Sequence, residues 1–184
     1  MHSITSIQKS EAVFSPCGKY RFWLCREWGL KAPFGVFLLA NPSKADALWL
    51  DPTTMNCSNL AIQWGWRGFG IVNLNPFIDP VPANAAKHTP KSEVANINNH
   101  WIQTARNLAD VFVLATGEDG LEKTQTLIKK LKTPFYVIRL NKGKGFLHPA
   151  RMTEKDFAEC PCPILLEKDW SMERKNVLEK KTNS

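Results

Sequence analysis

Two hydrophobic patterns take turns along the chain. Phe34-Gly35-Val36-Phe37-Leu38-Leu39-Ala40 is a continuous apolar run that stops at Asn41-Pro42-Ser43. Such runs mark strands buried on both faces of a parallel sheet. Residues 69–74, 110–115 and 134–140 repeat the pattern. Helical signals lie between them. Asp51-Pro52-Thr53-Thr54 supplies a capping side chain and then a first-turn proline, and predicts a helix to about Trp64, ended by Gly65. Ser92 opens a second helix to about Leu108, with Glu93 favourable in its first turn. Residues 120–132 place Leu121, Thr124, Leu127, Ile128 and Leu131 on one face of a third.

Upstream, Ala12-Val13-Phe14 and Tyr20-Arg21-Phe22-Trp23-Leu24 flank a Pro/Gly turn and predict a hairpin. Residues 75–90, with prolines at 76, 80, 82 and 90, read as a long loop of the kind that is functional or disordered. The last thirty or so residues are charged, contain Cys160-Pro161-Cys162-Pro163 and predict a fraying tail. Strand–helix alternation over 34–140 predicts an α/β fold: a three-layer α/β/α arrangement around a central four-stranded, mostly parallel sheet, plus the N-terminal hairpin as an edge or flap. The 184 residues fit a single domain, 1–184, with its core over about 12–151 and a charged extension over 152–184.

Composition narrows the function. No apolar stretch approaches the roughly 20 residues of a membrane-spanning helix. Met1-His2-Ser3-Ile4-Thr5-Ser6 lacks the basic start and apolar core of a secretory signal, so a cytoplasmic protein without a membrane partner is expected. Five cysteines, an odd count, argue against a disulfide framework, and Cys160-Pro161-Cys162 does not have zinc spacing. Neither a metal nor a cofactor is expected. The net charge of +7 is local: residues 87–150 carry ten Lys or Arg against five Asp or Glu, whereas 151–184 carry seven of each. That excess suits a polyanionic partner, with nucleic acid favoured over mere solubilisation. A monomer is expected.

In open parallel sheets ligands bind beyond the carboxyl ends of the strands. Asn41, with a donor and an acceptor, ends the first run; Asp46 and Asp51 follow as candidate bases, with the flat ring of Trp49 between them. Taken alone, Asn41-Pro42-Ser43 reads as an Asx-type turn closing a strand. Asn73 ends the next run and either reads a base edge or satisfies its loop. His148-Pro149 follows the fourth run; the imidazole is suited to stabilising negative charge or moving a proton, although a lone histidine is more often structural. Lys142 and Lys144 alternate with Gly143 and Gly145, which suits either phosphate contact or a flexible basic turn, without P-loop order. Seven tryptophans are present; a ring of Trp64-Gly65-Trp66 at a helix end is a candidate for stacking on bases, while core packing accounts for most of the others.

Taken in order, Phe14-Ser15-Pro16-Cys17-Gly18-Lys19-Tyr20-Arg21-Phe22, Arg26-Glu27-Trp28, Asn41-Pro42-Ser43 with Ala45-Asp46, Asp51-Pro52-Thr53, Val72-Asn73-Leu74 and His148-Pro149 resemble an uncharacterised domain-of-unknown-function family (number 1643) of bacteria and phages. More distantly, the order is similar to the uracil-DNA glycosylase superfamily. Asn41-Pro42-Ser43 resembles its Asn-Pro-Gly motif, Gly70-Ile71-Val72-Asn73-Leu74 its middle strand, Val111-Phe112-Val113-Leu114-Ala115-Thr116-Gly117 its next strand and His148-Pro149-Ala150-Arg151 its last motif. Ser43 stands for glycine, Thr116 for tryptophan, and Ala150-Arg151 for Ser-Pro; these departures bear on uracil specificity more than on the fold.

The resemblance implies a DNA glycosylase-like hydrolase acting on a flipped base, modified or mismatched, with phage-type modified DNA as one substrate class and phage defence as a setting. It implies that Asn41 holds the water and that Asp46 or Asp51 acts as base or as countercharge to the sugar cation. Ser43, Trp49 and Asn73 would contact the base, and His148 would stabilise the departing base. Lys142, Lys144 and Arg151 would grip phosphates, with Arg151 or Met152 filling the vacated stack. The alternatives are a non-catalytic nucleic-acid-binding module on the same fold and an enzyme of free nucleosides or nucleotides.

Overall fold

The computed structural model describes residues 2–118, 120–131, 134–141 and 145–166. β1 (Lys9–Phe14) and β2 (Arg21–Glu27) form the predicted hairpin, antiparallel, with Lys9 opposite Glu27. β3 (Phe34–Leu39) is buried throughout, as its unbroken apolar run requires. α1 (Pro52–Gln63) starts where Asp51 Oδ1 accepts the Thr54 amide at 2.7 Å and Pro52 needs no donor partner. β4 (Gly68–Asn73) follows.

The loop expected over 75–90 contains a short helix, α2 (Pro82–Lys87), begun by one of the prolines taken as loop signals. Asn75 holds this segment in place, its Nδ2 donating to the carbonyls of Ala85 (2.8 Å) and His88 (3.0 Å). Then come α3 (Ser92–Leu108), β5 (Val111–Leu114), α4 (Leu121–Leu131) and β6 (Phe135–Val137). The fourth apolar run, expected as one strand to 140, leaves the sheet after Val137 and continues as β7 (Leu140–Asn141), which pairs with β8 (Gly145–Phe146) in a separate ribbon. A 3-10 turn (Pro149–Arg151), α5 (Glu154–Glu159) and β9 (Ile164–Leu166) complete the described chain.

The main sheet has seven strands in the order β1-β2-β4-β3-β5-β6-β9, not the four expected. Its parallel centre is the predicted β4-β3-β5-β6. The hairpin is no flap: β2 pairs antiparallel with β4, Leu24 opposite Ile71. On the other side β9 pairs antiparallel with β6, Phe135 opposite Leu166. Both additions cover edges that would otherwise expose rows of unpaired N–H and C=O groups. The charged extension thus contributes a strand; residues 167–184, the rest of the expected fraying tail, lie outside the described residues.

Alternation along the strands sorts the core into two halves. Phe37, Leu39, Phe69, Ile71 and Val113 pack with Cys57, Leu60 and Ala61 of α1. Val36, Leu38, Val72, Phe112 and Leu114 pack with Ile102 and Ala105 of α3, and Leu127 and Ile128 of α4 pack against the same group. The result is a mixed α/β fold with a large, mostly parallel centre and helices against both faces of the sheet.

Candidate functional site

Segments that follow the carboxyl ends of β3, β4 and β5 enclose a cleft of about 380 Å³ with the start of α1 and the segment after β8. Asn41 and Ser43 line it from beyond β3, Asp51 and Thr53 from the start of α1, Asp79 from the loop after β4, Thr116 and Glu118 from beyond β5, and His148 and Arg151 from the 3-10 turn. Two residues more than a hundred positions apart in the chain, Asn41 and His148, therefore share one hollow.

The amide of Asn41 is fixed in one orientation. Its Nδ2 donates to the carbonyls of Asp79 (2.9 Å) and Pro42 (3.0 Å). Both amide hydrogens are thereby engaged, which leaves Oδ1, an acceptor, for a ligand.

His148 is set up in a complementary way. Its Nδ1 accepts the Ala150 backbone amide at 3.2 Å. The neutral ring then carries its proton on Nε2. Burial pulls its pKa down to about 4, Arg151 pushes in the same direction, and Asp51 opposes both. At neutral pH the ring is an uncharged hydrogen-bond donor.

The turn is anchored from two sides. Asn56 of α1 donates through Nδ2 to the Pro149 carbonyl at 2.8 Å. Gly117, at φ +74°, lies in the left-handed region, and a Cβ there would come 3.6 Å from His148 Cβ. Gly145, at φ +102°, passes so close that a Cβ would sit 2.9 Å from the Gly117 carbonyl oxygen. Glycine at these points lets the loop after β5 pack against β8 and the segment that leads to His148.

Of the residues picked out from sequence, Asn41, Ser43, Asp51, His148 and Arg151 line the cleft. Asp51 keeps one oxygen on the Thr54 amide as a helix cap. Asp46 does not line the cleft; its Oδ1 accepts the amides of Leu48 and Trp49, each at 2.7 Å. Those amides hold its carboxyl below the usual range. Trp49 stands outside the cleft, 66 % exposed. Asn73 is fully buried under the sheet and also outside the cleft; alternation with Phe69 and Ile71 puts it on the α1 side. Its carbonyl accepts Asn98 Nδ2 at 2.9 Å, and its own Nδ2 has no partner among the described residues. Trp66 is core, and Trp64 packs against Phe37 and Trp66 while donating to the Cys160 carbonyl at 2.9 Å. Lys142 and Lys144 lie outside the described residues.

Sequence reasoning missed Thr53, Asp79, Thr116, Glu118 and Asn141. Thr116 and Glu118 were findable, because they follow a predicted strand just as Asn41 does. Asp79 carries no such signal. Its inclusion changes the electrostatics: the described lining has three carboxylates, of Asp51, Asp79 and Glu118, against the one guanidinium of Arg151. Such a hollow favours neutral or positively charged groups over phosphates. Among the described residues no cluster of three or more His, Cys, Asp or Glu is placed to hold a metal ion, and no helix is long and apolar enough to cross a membrane.

No curated protein and no solved structure matches this chain. Residues 21–150 match a family described as a protein of unknown function (DUF1643). That segment runs from β2 to the 3-10 turn and includes both Asn41 and His148, so the chain belongs to this family.

Proposed function

We propose that the protein is a DNA glycosylase-like hydrolase that cleaves the N-glycosidic bond of a modified or mismatched nucleotide turned out of the duplex into this cleft. The observation that carries the reading is the pairing of an acceptor and a donor in one hollow: Asn41 Oδ1, fixed by two carbonyls, and neutral His148, with its proton on Nε2. In the reaction the C1′–N bond breaks and its electron pair leaves with the base. A water oxygen bonds C1′, and the proton it sheds passes by way of Asp51 to the departed base. Asn41 Oδ1 orients the water. His148 Nε2–H meets the charge that develops on the base. The carboxylates of Asp51 and Glu118 oppose the cationic character that develops on the sugar, as carboxylates do in glycoside hydrolysis. A lining rich in carboxylates suits that cation and keeps flanking phosphates at the rim with Arg151. The likeness of motif order to uracil-DNA glycosylases, with a sheet flanked by helices on both faces, supports the three-layer form of that superfamily as the parent fold.

A second reading is a nucleic-acid-binding module on the same scaffold. It is favoured by the commitment of Asp46 to its own loop, which leaves Asp51 as the remaining base of the two first considered. One assay separates the readings. Duplexes carrying uracil, a T·G mismatch or phage-type modified cytosines are incubated with the protein and treated with alkali. Strand cleavage at one of these bases, lost in Asn41→Ala and His148→Ala with DNA binding retained, supports the hydrolase. Salt-dependent binding with no abasic product selects the module.

A further inference from the structure

The chain lines the cleft at Asn41 and Ser43 and again at Asp51, and the segment between them stands outside the lining. At its tip Leu48, Trp49 and Leu50 are 91 %, 66 % and 48 % exposed. Trp49 is the one exposed tryptophan among those described. The backbone beneath is held from inside. The buried guanidinium of Arg26 donates to the carbonyls of Asp46 (3.0 Å), Trp49 (3.3 Å) and Ala47 (3.4 Å). Arg21 donates to the Ala45 carbonyl at 2.8 Å, and Asp46 Oδ1 takes the amides of Leu48 and Trp49. The loop turns its polar backbone inward onto two arginines and one carboxylate, and leaves hydrocarbon outside.

We propose that Leu48-Trp49-Leu50 is a wedge that enters the base stack of duplex DNA beside the nucleotide lodged in the cleft. The proposal rests on the reading above. A cleft of about 380 Å³ lined by carboxylates holds one base with its sugar, so the rest of the duplex must lie across the rim. The chain leaves the cleft lining after Ser43 and rejoins it at Asp51, the residue directly after Leu50. A nucleotide turned out of a duplex leaves a gap the height of one base, and an apolar side chain inserted there keeps the stack from closing. The indole offers a flat face to the neighbouring base. Because four of the loop's carbonyls and three of its amides are already paired within the protein, insertion immobilises less of a loose segment and strips water from fewer bare backbone groups. Lys44, exposed beside it, offers a phosphate contact, and the chain as a whole carries a net charge of +7.

The test compares wild type, the double variant Leu48→Ala/Trp49→Ala, and Leu30→Ala. Leu30 is equally exposed, at 90 %, but lies before β3, at the end of the sheet away from the cleft. Binding is measured by anisotropy to an intact duplex and to the same sequence single-stranded. Unstacking is read from 2-aminopurine placed next to a tetrahydrofuran abasic site. The expected result is at least tenfold weaker duplex binding by the double variant, a loss of less than threefold on the single strand, and a 2-aminopurine rise present in wild type and Leu30→Ala but absent in the double variant. Equal duplex affinity and equal 2-aminopurine signal in the double variant overturn the wedge and leave the hydrolase reading standing. Failure of wild type to bind either DNA overturns both. Sedimentation with phosphatidylserine/phosphatidylcholine vesicles that depends on Trp49, while DNA binding does not, also overturns the wedge and makes the tip a lipid contact.

Discussion

Asn56, in the second turn of α1, donates its side-chain amide to the carbonyl of Pro149, 2.8 Å away and 93 residues on. This bond ties the turn that presents His148 to the helix that Asp51 caps. The two cleft groups of opposite chemistry therefore share one rigid support. Asn56→Leu removes the donor and leaves the Pro149 carbonyl with the Met152 amide as its one partner, at a cost of about 1 kcal/mol, the net worth of one hydrogen bond. The melting temperature should fall by several degrees, and crosslinks or spin labels on the His148 turn should report a broader distribution. An unchanged melting temperature would show that the bond does not hold the turn.

His148 sets a second expectation. Its folded pKa, about 4, lies below the ordinary 6.5, so the unfolded chain takes up the proton first as the pH falls. The neutral ring's contribution to stability is complete above pH 6.5 and is lost between 6.5 and 4. Wild type should therefore lose stability through that window, and His148→Gln should lose less. In the hydrolase reading the acid limb of the rate profile falls near pH 4, not near 6.5. Histidine C–H resonances followed by NMR give the titration directly; a His148 midpoint near 6.5 would remove the neutral donor from the mechanism.

Asn41 distinguishes shape from charge. Its Nδ2 serves two carbonyl oxygens, so a carboxylate in its place faces both with no hydrogen to offer. Asn41→Asp should destabilise the protein more than Asn41→Ala, although aspartate is the closer isostere. The excess should be about 1–3 kcal/mol, the cost of holding the added carboxylate without donors against two carbonyl oxygens. Denaturant titration of the two variants measures it. Both substitutions should lower any base-release rate by roughly 100-fold or more. Equal stability of the two would mean that the amide is not locked as described.

Much of this was written into the sequence, and the omissions have physical causes. β3, β4 and β5 are continuous apolar runs, and their ends fall within a residue or so of the expected positions. α1 and α3 announce themselves through Asp51-Pro52 and Ser92. β9 was not legible, because three residues of Ile-Leu-Leu next to a proline carry no periodicity; β6 makes them a strand by offering a free edge. The rule that ligands sit beyond strand carboxyl ends located Asn41 and also led to Asn73, for opposite outcomes. Asn41 lies past the last residue of β3, where the chain has left the sheet, whereas Asn73 is still inside β4 and its side chain follows the pleat into the core. Asp46 and Trp49 follow Asn41 in the polar segment beyond β3, which is what made them candidates, but an Asx turn at Asp46 folds the segment outward.

That outward fold depends on Arg26, whose side chain is buried and whose guanidinium reaches four acceptors: the carbonyls of Asp46, Ala47 and Trp49, and the Ser10 hydroxyl at 3.3 Å. Burial lowers its pKa, with Asp46 and Asp51 opposing that shift, and the group remains a cation at neutral pH. A lysine keeps the charge but loses the planar fork, and one ammonium cannot span carbonyls spread over residues 46–49. Arg26→Lys should therefore leave the Asp46 or the Ala47 carbonyl, both part-buried, without its partner and lower stability by about 1 kcal/mol. The effect should be local as well as global. Hydrogen exchange at the Leu48 and Trp49 amides, protected in wild type by Asp46 Oδ1, should speed up far more than exchange in β3 or β4, because those strands keep their ladders. Proteolysis should cut near Trp49 in the variant before it cuts elsewhere. Uniform acceleration across the sheet would mean that Arg26 stabilises the fold as a whole, and that the stiffness of the loop comes from the Asp46 turn alone.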